Sequence, residues 1–261
     1  MELQQNFSQF QAQGIKLFAV SYDPVETLAA FSNLHGIQYP LLSDRGSEVI
    51  KRFGILNTLV KPEETEHYGI PYPGSYLAGE DGRVAAKYFH REYQVREAGP
   101  TALRSGFHVP VDPSSFAHAE SSEDGVDVAV ELAAKELRFM QRVDLYVTFS
   151  LAQGLHVYGP SAPDGYIATE VTVSGPEGLR VGQAEFPPTK PFRVEGLPEV
   201  FQVLEGRPVV RVPLVIGVRG VPSVALKATV RYQACDDRQC FLPKTKEFPM
   251  DLPVGQMVRG Q

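Results

Sequence analysis

The 261-residue chain reads as a three-layer α/β domain followed by an all-β antiparallel sandwich. Three observations carry that reading. The length is about twice the common single-domain size. The first part alternates helical and strand patterns, whereas the rest shows short alternating strands parted by turns. Glycine (23) and proline (21) are abundant, as many turns require and a long helical bundle does not.

Leu3, Phe7 and Phe10 recur at helical spacing, and Gly14 stops that helix. Ile15–Tyr22 is a short apolar run and predicts a buried strand. Asp23-Pro24-Val25-Glu26 predicts a helix start, with Asp23 as cap and Pro24 in the first helical position. Leu28, Phe31 and Leu34 mark its buried face, and Gly36 its end. Pro40–Leu42 predicts a brief strand, and Glu48–Phe53 a helix closed by Gly54. Asn57–His67 is polar and reads as a loop. Ser75–Ala78 and Val84–Phe89 flank Glu80-Asp81-Gly82, a hairpin signal because Gly82 tolerates positive φ. A last helix is expected over Tyr93–Leu103. A parallel βαβ sheet sets a strand before its first helix. The expectation is therefore that a first strand and its loop are missing ahead of Met1; the plain alternative is that the helix is the first element.

Phe107–Asp124 is rich in proline and serine and lacks periodicity. We take 107–122 as a linker between an α/β domain over 1–106 and a β-domain over 123–254, with 255–261 as a tail. Strands are expected at Val126–Ala134, Asp144–Leu151, Ala168–Val173, Val209–Val218 and Val224–Gln233, with turn residues between them. Several short strands in that spacing predict an antiparallel sandwich.

The net charge is −6, and residues 1–115 carry 10 basic and 13 acidic side chains. Neither half is basic, which argues against nucleic-acid or anionic-membrane binding. No apolar run approaches the ~18 residues of a membrane-spanning helix, so no membrane insertion of this chain is expected. His35, His67, His90, His108 and His118 lack metal-ligand spacing, and Glu63-Glu64-Thr65-Glu66 reads as a solvated acidic loop. Gly-x-Ser-x-Gly and phosphate-binding glycine loops do not occur. No metal and no organic cofactor is expected.

The cysteines are Cys235 and Cys240 alone. Two thiols build neither a four-thiolate zinc site nor a disulfide-rich scaffold. They follow the alternating Val224–Gln233 as Cys235-Asp236-Asp237-Arg238-Gln239-Cys240. At a hairpin end both sulfurs lie at the tip, within disulfide reach. A bond there closes a short loop and stabilises by roughly 2–3 kcal/mol at most. A tip also leaves both sulfurs open to a partner thiolate, which exchange requires. The spacing leaves open a structural disulfide, a redox-active pair and two unpaired thiols. Asp236 and Asp237 disfavour a thiolate beside Cys235, and Arg238 favours one.

Tyr232-Gln233-Ala234-Cys235-Asp236-Asp237-Arg238-Gln239-Cys240-Phe241-Leu242-Pro243 resembles the cysteine hairpin of the N-terminal domain of DsbD, the bacterial thiol:disulfide interchange protein. Gly154-Leu155-His156-Val157-Tyr158-Gly159-Pro160 and Phe186-Pro187-Pro188 look like other segments of that family. The resemblance covers about Glu123–Val254. It implies an immunoglobulin-like sandwich that accepts electrons at its cysteine pair and passes them to other proteins. It also implies a cap loop over the disulfide, here within Phe192–Phe201, with Phe192 and Phe201 as candidate lining residues. Tyr158 matches a family tyrosine near the site. His156, two residues away, can share its strand face, or is an ordinary packing or surface histidine. The resemblance leans to Cys240 as the sulfur that meets the partner.

Ile15–Tyr22, Asp23-Pro24 and Ile37-Gln38-Tyr39-Pro40-Leu41-Leu42-Ser43-Asp44 resemble the AhpC/TSA (peroxiredoxin, or redoxin) version of the thioredoxin-like fold. So does Gly69-Ile70-Pro71-Tyr72-Pro73-Gly74-Ser75-Tyr76-Leu77-Ala78-Gly79-Glu80-Asp81-Gly82-Arg83-Val84. That family places a cis-proline before a strand facing its active site. Pro73 matches the position, so a cis Tyr72–Pro73 bond is expected, with Pro71 the lesser candidate. The family's reactive cysteine lies at the start of its first helix. This sequence has no cysteine before Cys235. As given, it is not a cysteine peroxidase, because no thiolate is present to attack a peroxide.

The resulting expectation is a thiol–disulfide oxidoreductase, or redox relay, working through Cys235 and Cys240 with thioredoxin-like or DsbD-like protein thiols. Two alternatives stand beside it. One is a truncated peroxiredoxin-like antioxidant protein whose catalytic cysteine lies upstream. The other is a binding module whose disulfide only braces a loop. The sandwich family is periplasmic, while Met1-Glu2-Leu3-Gln4-Gln5 lacks the basic and apolar character of a signal peptide.

Overall fold

A computed structural model describes residues 2–64, 67–111, 114, 116–194 and 199–255. The chain divides into two compact units, Met1–Asp112 and Pro113–Met257.

In the first unit, helices α1 (Glu2–Gln5) and α2 (Phe7–Ala12) precede strand β1 (Ala19–Ser21), helix α3 (Val25–His35) and strand β2 (Leu41–Ser43). β1 and β2 pair in parallel, Val20 opposite Leu42, as a βαβ crossover requires. Helix α4 (Glu48–Arg52) leads to the antiparallel hairpin β3 (Gly74–Ala78) and β4 (Val84–Phe89). Gly82 takes φ +73° in its turn, the conformation for which glycine was expected there. Strand β5 (Arg96–Glu97), helix α5 (Gly99–Thr101) and a π-helical turn (Ala102–Gly106) close the unit. Phe10 and Leu103 form its buried centre, with Leu3, Ile15, Leu17 and Phe107 packed around them.

Five expectations for this unit are corrected. The Ile15–Tyr22 strand shortens to β1 and is not buried: Phe18 is 58% exposed and Val20 45%. Among the described residues β1 pairs with β2 alone, and the pair stays partly open, with Ala19 and Ser21 half-buried and Val20 exposed. Likewise α3 has no buried face, and Phe31 and Leu34 are exposed. Asp23 does not cap α3. Pro24 holds the cap position, and the Asp23 carboxylate turns back to accept from the Ser21 hydroxyl. A long helix over Tyr93–Leu103 does not form, because proline disfavours helix in the residue before it and helical structure begins only at Gly99-Pro100. Last, the described peptide bonds are all trans, Tyr72–Pro73 included. Trans is the lower-energy isomer, and the Tyr72 N–H donating to Ile55 O at 2.6 Å holds the segment extended into β3.

The second unit is β throughout: β6 (Ala117–Glu123), β7 (Val126–Leu132), β8 (Gln141–Leu151), β9 (His156–Tyr158), β10 (Glu170–Ser174), β11 (Leu179–Val181), β12 (Lys190–Phe192), β13 (Phe201–Glu205), β14 (Val209–Ile216), β15 (Ser223–Tyr232), β16 (Ala234–Cys235) and β17 (Lys244–Pro253). One sheet runs β11-β14-β8-β7-β6, a second β10-β15-β17, and a third β12-β13-β9-β16. The five strands expected from the alternation are present as β7, β8, β10, β14 and β15.

The alternation sets which side is buried. Val224, Leu226, Ala228, Val230 and Tyr232 of β15 are all buried, and the intervening residues face outward. Phe149 of β8 meets Tyr232 edge to face at 5.6 Å, so the first two sheets share one core. β6 shortens the linker expected over 107–122, taking up its residues from Ala117 onward. It pairs with β7 along its whole length. Its inward residues are small (Ala117, Ala119, Ser121), which hid the strand among serines.

Candidate functional site

The β15–β17 hairpin is the scaffold of the site. β15 ends at Tyr232 and β17 resumes at Lys244, directly opposite each other. Between them the chain leaves the hairpin's sheet. β16 pairs instead with β9 in the third sheet, Cys235 opposite His156 and Ala234 opposite Val157. Gln233 makes the crossing possible: its Oε1 accepts from Ile167 N–H (3.1 Å) and its Nε2 donates to Phe241 O (3.0 Å). The Phe241 N–H in turn donates to Ala234 O at 2.9 Å.

Cys235 and Cys240 are joined, S–S 2.13 Å. The pairing left open by the spacing is thus a disulfide. The two sulfurs are not equivalent. Cys235 is 1% exposed, while Cys240 lies in the exposed part of the loop. The expectation that a hairpin tip leaves both sulfurs reachable is therefore corrected. β16 carries Cys235 under the third sheet's side chains and leaves Cys240 outside.

The loop between them is held by Asp236. Its Oδ1 accepts from the Arg238 and Gln239 N–H groups, both at 2.7 Å. Those bonds hold its carboxyl below the usual carboxylate range. Asp237 and Arg238 point to solvent, 3.8 Å from each other. Asp236 thus shapes the turn, and Asp237 and Arg238 form its outer rim.

Tyr158 lies across the disulfide. Its hydroxyl is 3.4 Å from Cys240 Sγ and 3.5 Å from Cys235 Sγ, so its hydrogen can be donated to either sulfur. Burial, aided by Tyr166, pushes this hydroxyl up to about 12, so it keeps its proton at physiological pH. Around it stand Tyr166 (ring centres 5.4 Å apart) and Phe201 (5.6 Å). Phe192 lies opposite Phe201 on β12 and stacks on His156 at 4.3 Å.

The structure therefore gathers Cys235, Cys240, Tyr158, His156, Phe192 and Phe201 in one place, and puts Asp236, Asp237 and Arg238 on its rim. Pro73 lies in the other unit. The central residues of the expected cap loop, 195–198, lie outside the described residues.

Three participants were missed in the sequence. Tyr166 follows the Asp164-Gly165 turn, and its ring packs on Phe201 at 4.8 Å; an aromatic after a turn pair was the available signal. Thr169 donates its hydroxyl to Tyr158 O at 2.5 Å and pins β9. Glu205 lies opposite His156 on the other side of β9. The alternation Phe201, Val203, Glu205 would have placed it on the site's face. His156 and Glu205 also line a cavity of about 270 Å³ with Phe192 and Asp237. No cluster of metal-binding side chains occurs among the described residues.

These features define a mostly β protein with a disulfide enclosed by aromatic rings on one side and open on the other. Residues 127–252 match the family described as thiol:disulfide interchange protein DsbD, N-terminal, and residues 1–87 match the AhpC/TSA family. Both resemblances read from the motifs are borne out. Two Mycobacterium tuberculosis proteins assigned as peroxiredoxins are 28% identical over 105 residues, or 39% of this chain. The chain spans 60% of the length of those relatives. Among solved structures, the N-terminal periplasmic domain of ScsB from Proteus mirabilis aligns with 53% of this chain and 52% of its own, at 16% identity and TM-score 0.37. The reduced DsbD N-terminal domain of Neisseria meningitidis aligns with 55% of this chain and 90% of its own, at 15% identity and TM-score 0.29.

Proposed function

We propose that this chain is a thiol–disulfide relay protein. In this reading residues 123–254 form an immunoglobulin-like domain that exchanges electrons through Cys235 and Cys240 with thioredoxin-like or DsbD-like protein thiols. The observation that carries it is the inequality of the two sulfurs. Exchange needs an attackable sulfur and a leaving sulfur in line behind it. Cys240 is exposed and Cys235 is enclosed, so a partner thiolate attacks Cys240 Sγ and Cys235 leaves. The Tyr158 hydroxyl, which reaches both sulfurs, donates to the charge that develops on Cys235. Phe192, Phe201 and Tyr166 keep water and competing thiols from that side. The match of residues 127–252 to the DsbD N-terminal family supports the same chemistry.

A cysteine-trapping experiment tests the reading. A thioredoxin-like protein stripped of its resolving cysteine is mixed with the oxidised chain. We expect a mixed disulfide through Cys240, found by non-reducing electrophoresis and peptide mapping, and trapped equally by Cys235→Ser after activation of Cys240. A pair that stays oxidised in buffers poised far below about −300 mV would be a structural staple, and the proposal would fail.

A further inference from the structure

β9 lies between β13 and β16, and its first residue faces a partner on each side. Glu205 of β13 is opposite His156, and His156 is opposite Cys235 of β16. Directly opposed residues of an antiparallel pair project to the same face, with Cβ atoms roughly 4.5–5.5 Å apart. Carboxylate, imidazole and sulfur therefore stand in one row across three strands. Tyr158, two residues along β9, shares that face and touches both sulfurs.

We infer that His156, seated by Glu205, takes the proton of the Cys235 thiol when the reduced pair closes back to the disulfide. This rests on the exchange reading above and specifies its proton path. The balance is as follows. Cys240 thiolate first attacks a protein disulfide, forming a mixed disulfide and releasing one acceptor thiolate. Cys235 S–H then passes its proton to the imidazole, and the Cys235 thiolate attacks Cys240 Sγ. The Cys235–Cys240 bond forms, the mixed disulfide breaks, and the second acceptor thiolate leaves. The pair is oxidised by two electrons and the acceptor disulfide is reduced by two. The imidazolium releases its proton through the cavity that His156 lines together with Glu205 and Asp237.

A buried thiol needs such an acceptor, because water does not reach Cys235 and burial disfavours its thiolate. The groups around the imidazole set its state. Burial lowers the His156 pKa, while Glu205 and Asp236 act to raise it. Phe192 covers the ring, and Tyr158 meets it edge-on at 6.2 Å. Lys190 of β12 pairs with Glu205 at 2.9 Å and fixes that carboxylate. The net lowering leaves His156 neutral at neutral pH, the form that accepts a proton.

The test is stopped-flow oxidation of the reduced full chain by 5,5′-dithiobis(2-nitrobenzoate), which releases coloured thiolate in two phases. The first is attack by a cysteine; the second is closure. For the unaltered chain, the closure rate should rise through a midpoint below the ordinary histidine value of about 6.5. His156→Phe should slow closure at neutral pH about ten- to a hundredfold and leave a profile that follows a thiol, near about 8.5. Glu205→Gln, at an exposed position, should move the midpoint to lower pH because the carboxylate that favours imidazolium is gone. A His156→Phe closure phase with unchanged rate and midpoint, or a Glu205→Gln profile that does not move, overturns the inference. His156→Asn serves if the phenylalanine variant does not fold. If the unaltered chain shows no second phase at all, the exchange reading itself fails.

Discussion

Removing the Tyr158 hydroxyl with Tyr158→Phe is the sharpest perturbation of the opening step. The ring keeps its contacts with Tyr166 and Phe201, so only the oxygen between the two sulfurs is lost. In the closed disulfide that oxygen faces neutral sulfur, a weak acceptor, and stability should change by less than about 1 kcal/mol. In the transition state charge grows on Cys235 Sγ, 3.5 Å away. A hydrogen bond to a full charge contributes about 1.5–3 kcal/mol, and roughly half the charge has developed at that point. The loss is then about 0.75–1.5 kcal/mol, or a fall of about four- to twelvefold in rate. The assay is pseudo-first-order reduction of the oxidised chain by dithiothreitol. Because Tyr158 keeps its proton up to about 12, the ratio of the two rates should be flat from about pH 6 to 9. Equal rates, or a faster variant, would mean that the hydroxyl only shields the bond.

Three further outcomes follow from other parts of the second unit. Reducing the disulfide, whose cysteines are 5 residues apart, should lower stability by about 2 kcal/mol in urea melts; a much larger loss would point to a staple. Asp144 is fully buried between Arg211 (3.0 Å) and Arg142 (3.7 Å). Arg211→Met should therefore cost about 3–5 kcal/mol by the same melts, since it leaves a buried carboxylate poorly compensated. Glu123 is held down to about 2 by hydrogen bonds from Lys244 and Lys246. Its folded value lies below its unfolded one, so its contribution is present above the usual carboxylate range and fades as pH falls towards 2. An NMR titration should find that midpoint, moved upward by molar salt.

What the sequence shows well is what alternation encodes. β7, β8, β14 and β15 carry large apolar residues at every second position, and all four lie near their expected places. β6 was hidden because its inward residues are alanine and serine, which signal loop as readily as strand. β9, β12 and β16 are 3, 3 and 2 residues long, too short for any period to register. Yet the site is built from these short pieces. The cysteine pair was legible from its spacing after an alternating strand, and Tyr158 through motif resemblance, whereas Glu205 and Tyr166 left only faint signals because their roles come from pairing across strands distant in sequence. In the first unit the helical and strand patterns were present, but burial was misjudged. The apolar character of Phe18, Val20, Phe31 and Leu34 says that a residue prefers to be covered, not that something covers it.

The short loop and the enclosure of Cys235 bear on each other. A bond spanning so few residues removes little freedom from the unfolded chain, so stability alone gives weak reason for its surroundings. Those surroundings are elaborate: β16 abandons its hairpin, Gln233 braces the crossing, Thr169 pins β9, and aromatic rings close over one sulfur only. None of this is needed to hold two cysteines together, which a turn like that of Asp236 does unaided. All of it is needed to make the two sulfurs different. Burial makes Cys235 a poor target and its thiolate costly, and so turns its proton into the quantity that must be managed. An exposed Cys240 can be attacked directly, but in the proposed exchange the pair opens and closes faster when something donates to Cys235 or takes its proton. Tyr158 and His156 lie on β9, the strand that pairs with that of Cys235. The division of labour expected of them is a donor that keeps its proton at physiological pH and an acceptor that titrates.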